Sequence, residues 1–552
     1  MSIYGLILMA VISFEKISRI VYSILVVVLV YLFFTSLPAR LDFKFKSFVR
    51  EYKKSFVHSE ITPYGELYLH KKDNETICSI NHTKIFSFPD TRNIQEIVHS
   101  SLLQYPWAAS VLVIGEWSEI VNEILRYPNI KNVYWASPVP QVFKILSDLS
   151  GDKIDYSGKL RMMKNSDPRN FIRKIRKEAI FDIVLISLPD PTNILFNRYY
   201  THEFYQELST ILTSNSMIST TLQIGEQNIG ENDRNLSSAV YRTLTMSFPN
   251  TLELAGKKTQ ILASYNRNFT TSYKALSEFL NALNGMPDYI SPSLIKFKLS
   301  SIDNLRKELE SNAFSALNKD SLPQAFSYSL NELLTGTGKL SKQAKKFLNK
   351  MNSAYIYIFI FLSTVIFLFI NSSSVIEKKL VIITYTASII FMIFLYDMTI
   401  TLHSNNGRIF RYISILLAIV ILGLFIAFKL FKGKDPKLYV SFLRILLLCS
   451  AIFFALLPAV LEINFSPPTI PLILVFALIG SIFMGGVKFL SIASFIQLKR
   501  SKTKLVYLYS RILCGFLIGM ISIMILIPLL GLIDILPAVG IICLGCATLI
   551  SI

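Results

Sequence analysis

The spacing of hydrophobic and polar residues divides the chain into two kinds of sequence. Apolar runs long enough to cross a bilayer as helices occupy residues 20–37 and almost everything after Ala354. The residues between them carry charges throughout and have apolar runs only of strand length. The second apolar region predicts about seven membrane helices, over runs at 354–371, 380–402, 409–431, 438–460, 470–495, 505–532 and 536–552.

This pattern predicts three parts. Residues 1–37 form a transmembrane anchor, residues 38–350 form one soluble α/β domain with a C-terminal linker, and residues 351–552 form an all-α membrane domain. The first apolar run could also be a signal peptide. However, it is longer than a usual signal core and Thr35–Ala39 makes a poor cleavage site, which favours a retained anchor.

Composition supports a membrane protein. Of the 552 residues, 52% are hydrophobic and 40 are phenylalanine, which is too apolar for a soluble enzyme of this length. The net charge of +19 does not indicate nucleic acid, because many basic residues flank predicted membrane helices and form no stripe with aromatic residues. We therefore expect the lipid bilayer as a partner and no nucleic acid. Cys78 is the only cysteine of the soluble domain, which excludes a disulfide or zinc framework there.

The positive charges conflict over sidedness. Basic loops at 429–437 and 499–504 share one side of the membrane, which the positive-inside rule makes cytoplasmic. Counting helices back from these loops places the soluble domain on the other side. Yet basic clusters at 40–54 and 339–350 flank the domain itself and favour the cytoplasm. The side that the domain occupies stays open.

Within the soluble domain, strand-length apolar runs alternate with segments of helical spacing. Strands are predicted at Ser110–Gly115, Asn132–Ala136 and Ile183–Ile186, with helices over Ile120–Arg126 and near Gln141–Leu149. Strand, helix, strand, helix, strand is the order of a doubly wound parallel sheet, whose ligands bind beyond the carboxyl ends of the strands. Here those ends are residues 115–119, 135–138 and 187–190. A small antiparallel hairpin region is expected before the sheet, over Gly65–His70 and Thr76–Ile80.

Several stretches in matching order carry a family resemblance between about Thr62 and Leu334. They include ITPYGELYL, VLVIGEWSEIVNEILRYPNIKNVYW and LPDPTNILFNRYYTHEFYQEL, followed by an N-x-D-x-x-P segment at Asn318, Asp320 and Pro323. The chain resembles the spermidine synthase-like polyamine aminopropyltransferases, in particular the bacterial membrane proteins in which this domain is fused to transmembrane helices. The resemblance implies a Rossmann-like, methyltransferase-type fold in a multi-pass protein of the bacterial inner membrane. An active member would use decarboxylated S-adenosylmethionine as substrate and a polyamine as acceptor, with no further cofactor or metal.

The positions that bind ligand in the family carry other residues here. The family's first strand ends in a glycine-rich loop, typically GGGDG, where this chain has Gly115 followed by Glu-Trp-Ser-Glu. The acids that would bind the ribose after the second strand are replaced by Trp135 and Ser137. Ser187 stands in place of the catalytic aspartate that helps to deprotonate the attacking amine, and the second acid of that loop is kept as Asp190. A serine hydroxyl cannot deprotonate an amine at neutral pH, so we expect Ser187 to be inactive.

Two acids match family positions but also have ordinary structural interpretations. By the resemblance, Asp167 would read the adenine amino group and Asp190 would help to bind the amine substrate. Gly115, Trp135 and Asp167 would then mark a vestigial nucleoside site. Asp167 also precedes a proline and a predicted helix, as an N-cap does, and Asp190-Pro191 is a common turn pair.

Three functions compete. The first is a catalytically degenerate spermidine synthase-like domain with a structural or regulatory role on a membrane protein, favoured because three ligand-contacting positions have changed. The second is an active membrane-bound aminopropyltransferase of polyamine biosynthesis with a rearranged site. The third is a membrane transporter with a regulatory synthase-like domain.

The transporter hypothesis rests on charges and glycines in the apolar runs. Most of the charges lie near helix ends, where snorkelling into the interface explains them, and Lys488 is the exception. The fused relatives carry a bundle of helices where this chain has a single one, so other membrane subunits are also candidate partners. The residues concerned are Asp397, Arg444, Glu462, Lys488, Arg511 and Asp534, with Gly480, Gly485 and Gly486 where helices pack closely.

Overall fold

The chain folds into two compact units. The computed structural model describes residues 56–62, 65–72, 75–80, 83–115, 118–139, 142, 158–163, 167–176, 180–222, 231–256, 258–283, 287–310, 317–335, 375–406, 409–463, 470–498, 508, 511–520, 535–537 and 539–548. The described residues 56–335 form one unit, the soluble unit, and the described residues 375–548 form the other, the membrane unit. The predicted anchor, most of the predicted helix near 141–149 and the run at 354–371 lie outside the described residues.

The soluble unit begins with an antiparallel sheet. Its strands are β1 (Phe56–Thr62), β2 (Gly65–Lys72), β3 (Glu75–Ile80) and β4 (Thr83–Phe88), paired in that order. Leu67 and Leu69 of β2 are buried, as are Cys78 and Ile80 of β3, so one face of the sheet packs on the core. The predicted hairpin region is confirmed, and the structure adds a strand on each side of it.

A second, larger sheet forms the centre of the soluble unit. Its described strands are β5 (Ser110–Gly115), β6 (Asn132–Ala136), β7 (Leu160–Met162), β8 (Phe181–Ser187), β9 (Leu212–Leu222), β10 (Asn250–Leu254) and β11 (Thr259–Ser264). They are ordered β10-β11-β9-β8-β5-β6-β7, all parallel from β9 to β7, with β11 antiparallel to both of its neighbours. This is the doubly wound, methyltransferase-type order of a Rossmann-like fold, as the sequence predicts.

Helices connect and cover the strands. Five of them begin with side-chain caps that the sequence supplies, because a side-chain oxygen accepts a backbone N–H from the first turn at Asp167, Asn193, Thr201, Ser272 and Ser291. The described helices of the soluble unit are α1 (Thr91–Leu102), α2 (Ser118–Leu125), α3 (Pro168–Ile175), α4 (Ile194–Asn197), α5 (His202–Ser209), α6 (Glu231–Ser247), α7 (Tyr273–Asn281), α8 (Pro292–Ser300), α9 (Ile302–Glu310) and α10 (Gln324–Thr335).

The two central strands determine where a ligand would bind. β5 (SVLVIG) and β8 (FDIVLIS) are buried along most of their length and read as continuous apolar runs, which is typical of parallel strands covered on both faces. The chain order reverses between them, so the crevice beyond their carboxyl ends is the expected ligand site of this fold. Gly115 and Ser187 end the two strands and are paired in register.

Four described helices of the membrane unit are long and apolar enough to cross a membrane. They are α11 (Val375–Asn406), α12 (Ile409–Phe431), α13 (Tyr439–Ile463) and α14 (Ile470–Leu498), and they confirm the apolar runs at 380–402, 409–431, 438–460 and 470–495 as helices. The shorter apolar helices α15 (Arg511–Met520) and α16 (Ile535–Thr548) represent the last two runs, of which the structure describes only parts.

Small residues let the membrane helices approach closely. A Cβ at Gly480 of α14 would collide with the ring of Phe394 on α11, and one at Gly485 would crowd Leu424 and Ala427 on α12. The hydroxyl of Thr384 on α11 also donates to that of Ser491 on α14, at 2.9 Å. The close packing predicted at these glycines is therefore present.

Candidate functional site

The carboxyl ends of β5 and β8 meet at Gly115 and Ser187. A Cβ on Gly115 would lie 2.6 Å from the carbonyl oxygen of Ser187, closer than side-chain carbons approach backbone oxygen. The glycine is thus required by the neighbouring strand whether or not a ligand lies beyond it. Residues 116–117, which follow in the loop, are outside the described part of the chain.

Trp135 closes the end of β6 against β5. Its side chain is 0% exposed, and the indole Nε1 donates a hydrogen bond to the carbonyl oxygen of Gly115 at 2.9 Å. In the resembling family this position holds an acid that accepts hydrogen bonds from a ribose. Here it holds a large apolar ring whose single N–H is bonded to the backbone.

Ser137, the other position where the family has an acid, forms a local turn. It is 0% exposed, and its Oγ accepts a hydrogen bond from the backbone N–H of Val139 at 2.9 Å. A serine oxygen that accepts from the backbone two residues on is a common turn arrangement. Ser137 therefore stabilises the chain as it leaves β6.

Ser187 contributes a neutral hydroxyl to the strand ends. It is 3% exposed and its Oγ has no hydrogen-bond partner among the described residues. The hydroxyls of Thr220 and Thr221, on the neighbouring strand β9, are also buried and without a partner in the described structure. These groups can donate or accept a hydrogen bond, but none can hold the negative charge that attracts and deprotonates an ammonium group.

Asp190 lies in a turn that a buried tyrosine holds. The carbonyl of Asp190 accepts the N–H of Thr192 at 2.6 Å, and the residue is only partly buried. Just before it, the carbonyls of Leu188 and Pro189 lie 3.3 and 3.1 Å from the hydroxyl of Tyr200, which donates to them. Burial raises the pKa of Tyr200 well above its usual value, so the hydroxyl remains a neutral donor.

Asp167 is the N-cap of α3 and is surrounded by donors. Its Oδ1 accepts the N–H of Arg169 at 3.1 Å, and its Oδ2 accepts from Arg198 Nη1 at 2.6 Å and from the hydroxyl of Tyr199 at 2.8 Å. The carboxylate is 1% exposed. Three donors thus already engage this enclosed carboxylate, and two of them belong to buried side chains, which leaves little room for an adenine amino group.

A buried ionic cluster adjoins Asp167. Arg169, 1% exposed, forms a bidentate pair with Glu207 at 2.6 and 3.0 Å and a second pair with Asp320 at 2.8 and 2.9 Å. Arg173 shares Glu207 at 2.7 Å. The guanidinium therefore joins α3, α5 and the segment before α10 through charge-assisted hydrogen bonds.

The N-x-D-x-x-P segment is the partner of this cluster. Asp320 also accepts from the hydroxyl of Thr201 at 2.8 Å, and its N–H donates to Glu203 at 2.8 Å. Asn318 donates from its side-chain Nδ2 to the backbone carbonyl of Tyr200 at 2.9 Å. The backbone carbonyl of Asn318 accepts the N–H of His202 at 2.9 Å. The segment thus binds to the chain just after the Ser187–Asp190 loop.

The structure brings some of the predicted residues together. Gly115, Trp135 and Ser187 lie at one edge of the sheet, as the sequence predicts, whereas the carboxylate of Asp167 is engaged with Arg198 and Tyr199. Sequence analysis missed the role of Arg169. The one signal in the sequence is Asp320 in the N-x-D-x-x-P segment. Nothing in the sequence links Asp320 to Arg169, 151 positions away.

A separate cleft of about 1250 Å³ lies where α6 and α9 border the edge strand β10. Arg306 and Tyr241 line it, and both are bonded to the buried carboxylate of Glu253, at 2.8 and 2.9 Å. Those bonds engage Arg306 and Tyr241 with Glu253 and do not involve the other polar residues that line the cleft. The sequence predicts no site at this edge.

The strand order and the ligand-end residues define a Rossmann-like domain of the methyltransferase type. No family model matches the chain. It is 29% identical over 175 residues to the polyamine aminopropyltransferase of Leptospira interrogans, covering 30% of this chain and 34% of that protein. It is 24% identical over 167 residues to that of Oceanobacillus iheyensis, covering 28% and 31%. The matched part of the chain spans about a third of the length of these relatives.

Solved structures give a weaker likeness. Spermidine synthase from Thermotoga maritima has 16% identity and a TM-score of 0.38, over 47% of this chain and 88% of that one. The sequence relatives indicate the family more specifically. The soluble unit is a spermidine synthase-like domain, joined in one chain to a unit of long apolar helices.

Proposed function

We propose that the soluble unit is a catalytically degenerate spermidine synthase-like domain with a structural or regulatory role in a multi-pass protein of the bacterial inner membrane. The hydrogen bond from Trp135 to Gly115 carries the proposal. The indole that makes this bond occupies the strand ends. There the relatives' substrate, decarboxylated S-adenosylmethionine, would need carboxylate acceptors for its ribose.

The electrostatics of the strand ends support the same function. Aminopropyl transfer requires a neutral amine as nucleophile, and an acid beside the amine to hold it and take its proton. Ser187 offers only a neutral hydroxyl there, and the hydroxyls of Thr220 and Thr221 beside it are equally uncharged. Within the described Ser187–Asp190 turn, Asp190 is the acid that remains. A polyamine acceptor would therefore lack its main partner.

The bonds of the retained acids point to a structural role. Asp167 caps a helix and pairs with Arg198, and Asp320 pairs with Arg169. Both pairs fix helices and the N-x-D-x-x-P segment to one another. The polar groups of the domain are thus arranged to hold its shape.

Calorimetry on the full-length protein in detergent tests the proposal. Methylthioadenosine probes the nucleoside pocket and decarboxylated S-adenosylmethionine probes the whole donor site. We expect no heat of binding from either ligand at millimolar concentration. Micromolar binding of methylthioadenosine would overturn the closed-pocket argument and lead to an aminopropyl-transfer assay with a polyamine acceptor.

Two substitutions separate loss of binding from loss of chemistry. Ser187→Asp restores the acid at the strand end while Trp135 still fills the ribose position, so we expect no binding and no transfer. If Ser187→Asp alone gave transfer activity, the pocket would be intact and the enzyme would lack only its base. Ser187→Asn, of the same size without the charge, is the matched control.

A further inference from the structure

Asp397 is a buried carboxyl in the membrane unit. It lies in α11, within the apolar span Lys379–Leu402, whose mean hydropathy is 2.0. The residue is 4% exposed, and its Oδ2 has no hydrogen-bond partner in the described structure. The sequence predicts that a charge this near a helix end snorkels to the interface. The structure corrects that prediction, because the side chain is enclosed by protein.

Among the described side chains, the neighbouring helices bring no charge that neutralises Asp397. The ammonium of Lys488 on α14 lies over the rings of Phe391 and Phe516, at 4.3 and 4.1 Å. Because Phe391 precedes Asp397 by six residues, the ammonium lies beside a part of α11 that is about 9 Å along the helix from Asp397. No described residue forms a hydrogen bond or ion pair with the side chain of Asp397. The other buried or half-buried titratable groups described on α11 and the helices beside it are Lys379, Tyr385, Tyr396, Tyr412, Tyr439, Arg511, Cys514, Cys543 and Cys546.

The energetics of an unpaired carboxyl favour its protonated form. An ionised carboxylate held in an apolar interior without a partner is strongly unfavourable, and a neutral carboxylic acid is far less so. A metal ion would need further ligands. The described residues contain no group of three or more His, Cys, Asp or Glu side chains that could hold one.

We propose that Asp397 is a proton-binding site of the membrane unit. In the packed arrangement of α11, the carboxyl holds its proton. When water reaches the side chain, the O–H bond breaks, the electron pair stays on the carboxylate and the proton passes to the water. Any rearrangement that opens this part of α11 is then coupled to release of one proton. The proposal is independent of the function of the soluble unit.

Labelling with dicyclohexylcarbodiimide, an apolar reagent that attacks protonated carboxyls, tests the site. The acid O–H adds across one C=N bond, and the adduct rearranges to a stable N-acylurea that keeps every atom of both reactants. Full-length protein in detergent is treated over a series of pH values, digested and analysed by mass spectrometry. We expect labelling at Asp397 at neutral pH and a decline as the pH is raised.

Asp435 is the matched control. It is an exposed carboxylate that caps a short 3-10 helix by accepting the N–H of Lys437, and we expect no label on it at neutral pH. Asp397→Asn should remove the label. Because Asn resembles the protonated acid in size and charge, the variant should keep the thermal stability of the native protein, and Asp397→Glu should restore labelling.

Three results would overturn the proposal. The first is the absence of label at Asp397 at every pH in folded protein. The second is labelling that sodium ions suppress at constant pH, which would indicate an inorganic cation site. The third is a large loss of stability in Asp397→Asn with none in Asp397→Glu, which would indicate an ionised carboxylate with a partner.

Discussion

The indole nitrogen of Trp135 lies 2.9 Å from the carbonyl oxygen of Gly115 and donates a hydrogen bond to it. The bond joins the carboxyl ends of β6 and β5, two neighbouring parallel strands. In a doubly wound sheet this edge normally stays open for a ligand, so its strand ends are held together only by the backbone hydrogen bonds between neighbouring strands. Here a buried side chain adds a cross-strand bond where the fold would otherwise leave a crevice.

Trp135→Phe should therefore destabilise the soluble unit. The substitution removes the donor to Gly115 and leaves a small cavity beside a buried carbonyl, at a cost of about 1–3 kcal/mol. Urea titration followed by far-ultraviolet circular dichroism measures the change. Trp107, 59% exposed, provides the control, since Trp107→Phe should change stability by less than about 0.5 kcal/mol. Equal effects of the two substitutions would contradict the structural role of Trp135.

Ser187→Ala should raise stability by about 1 kcal/mol, because it removes a buried hydroxyl that has no partner in the described structure. Ser264→Ala is the matched control. Its hydroxyl donates to the carbonyl of Ser216 at 2.7 Å and accepts from the backbone N–H of Arg267 at 3.1 Å, so its loss should destabilise the fold by about 1–3 kcal/mol. All three tryptophans lie within the soluble unit's part of the sequence, so their fluorescence reports its unfolding. A stability loss in Ser187→Ala would show that a bound group satisfies this hydroxyl.

Asp320→Asn should destabilise the soluble unit by about 3 kcal/mol. The substitution removes one of the two carboxylates that face the buried guanidinium of Arg169. It should also make the chain after residue 317 more sensitive to limited proteolysis, since the segment loses its strongest attachment. Asp288→Asn, at an exposed position, should change neither measurement. Unchanged proteolysis of Asp320→Asn would show that Asn318 alone holds the segment.

Glu203 should make stability depend on pH. Burial and the nearby carboxylate of Asp320 raise its pKa from the usual 4.5 to about 7. Between these values the folded protein holds a proton that the unfolded chain has released, so this contribution to stability is fully present below about pH 4.5 and is lost as the pH rises through about 7. Thermal unfolding of the native protein and of Glu203→Gln across this range isolates the effect. Glu278→Gln, exposed on α7, is the control.

We expect the difference between the native protein and Glu203→Gln to follow that pH dependence. Gln keeps an acceptor for the N–H of Asp320, so the 2.8 Å contact can persist while the titration disappears. A difference that grew more favourable to the native protein with rising pH would contradict the raised pKa.

Local sequence was sufficient to predict much of the fold. The β-branched run of β5 and the valine and aromatic residues of β6 predict both strands with their observed first and last residues, because parallel central strands are largely apolar. The sequence predicts the start of α2 at Ile120, two residues later than the observed Ser118. Apolar spacing marks the buried face of a helix but not its polar first turn.

The candidate site was predictable only in part. The predicted strand ends place Trp135 and Ser187 at the ligand end of the sheet, and the family resemblance implies that acids would stand at these positions. It could not show that the indole bonds to Gly115, because that contact depends on the register of two strands. Asp167 shows the same limit, since its N-cap role was readable from Asp-Pro whereas its pairing with Arg198 needs a contact 31 residues away.

The attachment of Asn318 has a mechanical consequence. A pull on the chain beyond α10 would load the packing of α10 on α6 first and then the bonds of Asn318 and Asp320, because the segment from 317 to 323 precedes that helix. The side chain of Asn318 donates a hydrogen bond to the backbone carbonyl of Tyr200. The hydroxyl of Tyr200 in turn donates to the carbonyls of Leu188 and Pro189. Tension that reaches this segment would thus be passed through Tyr200 to the turn that ends β8.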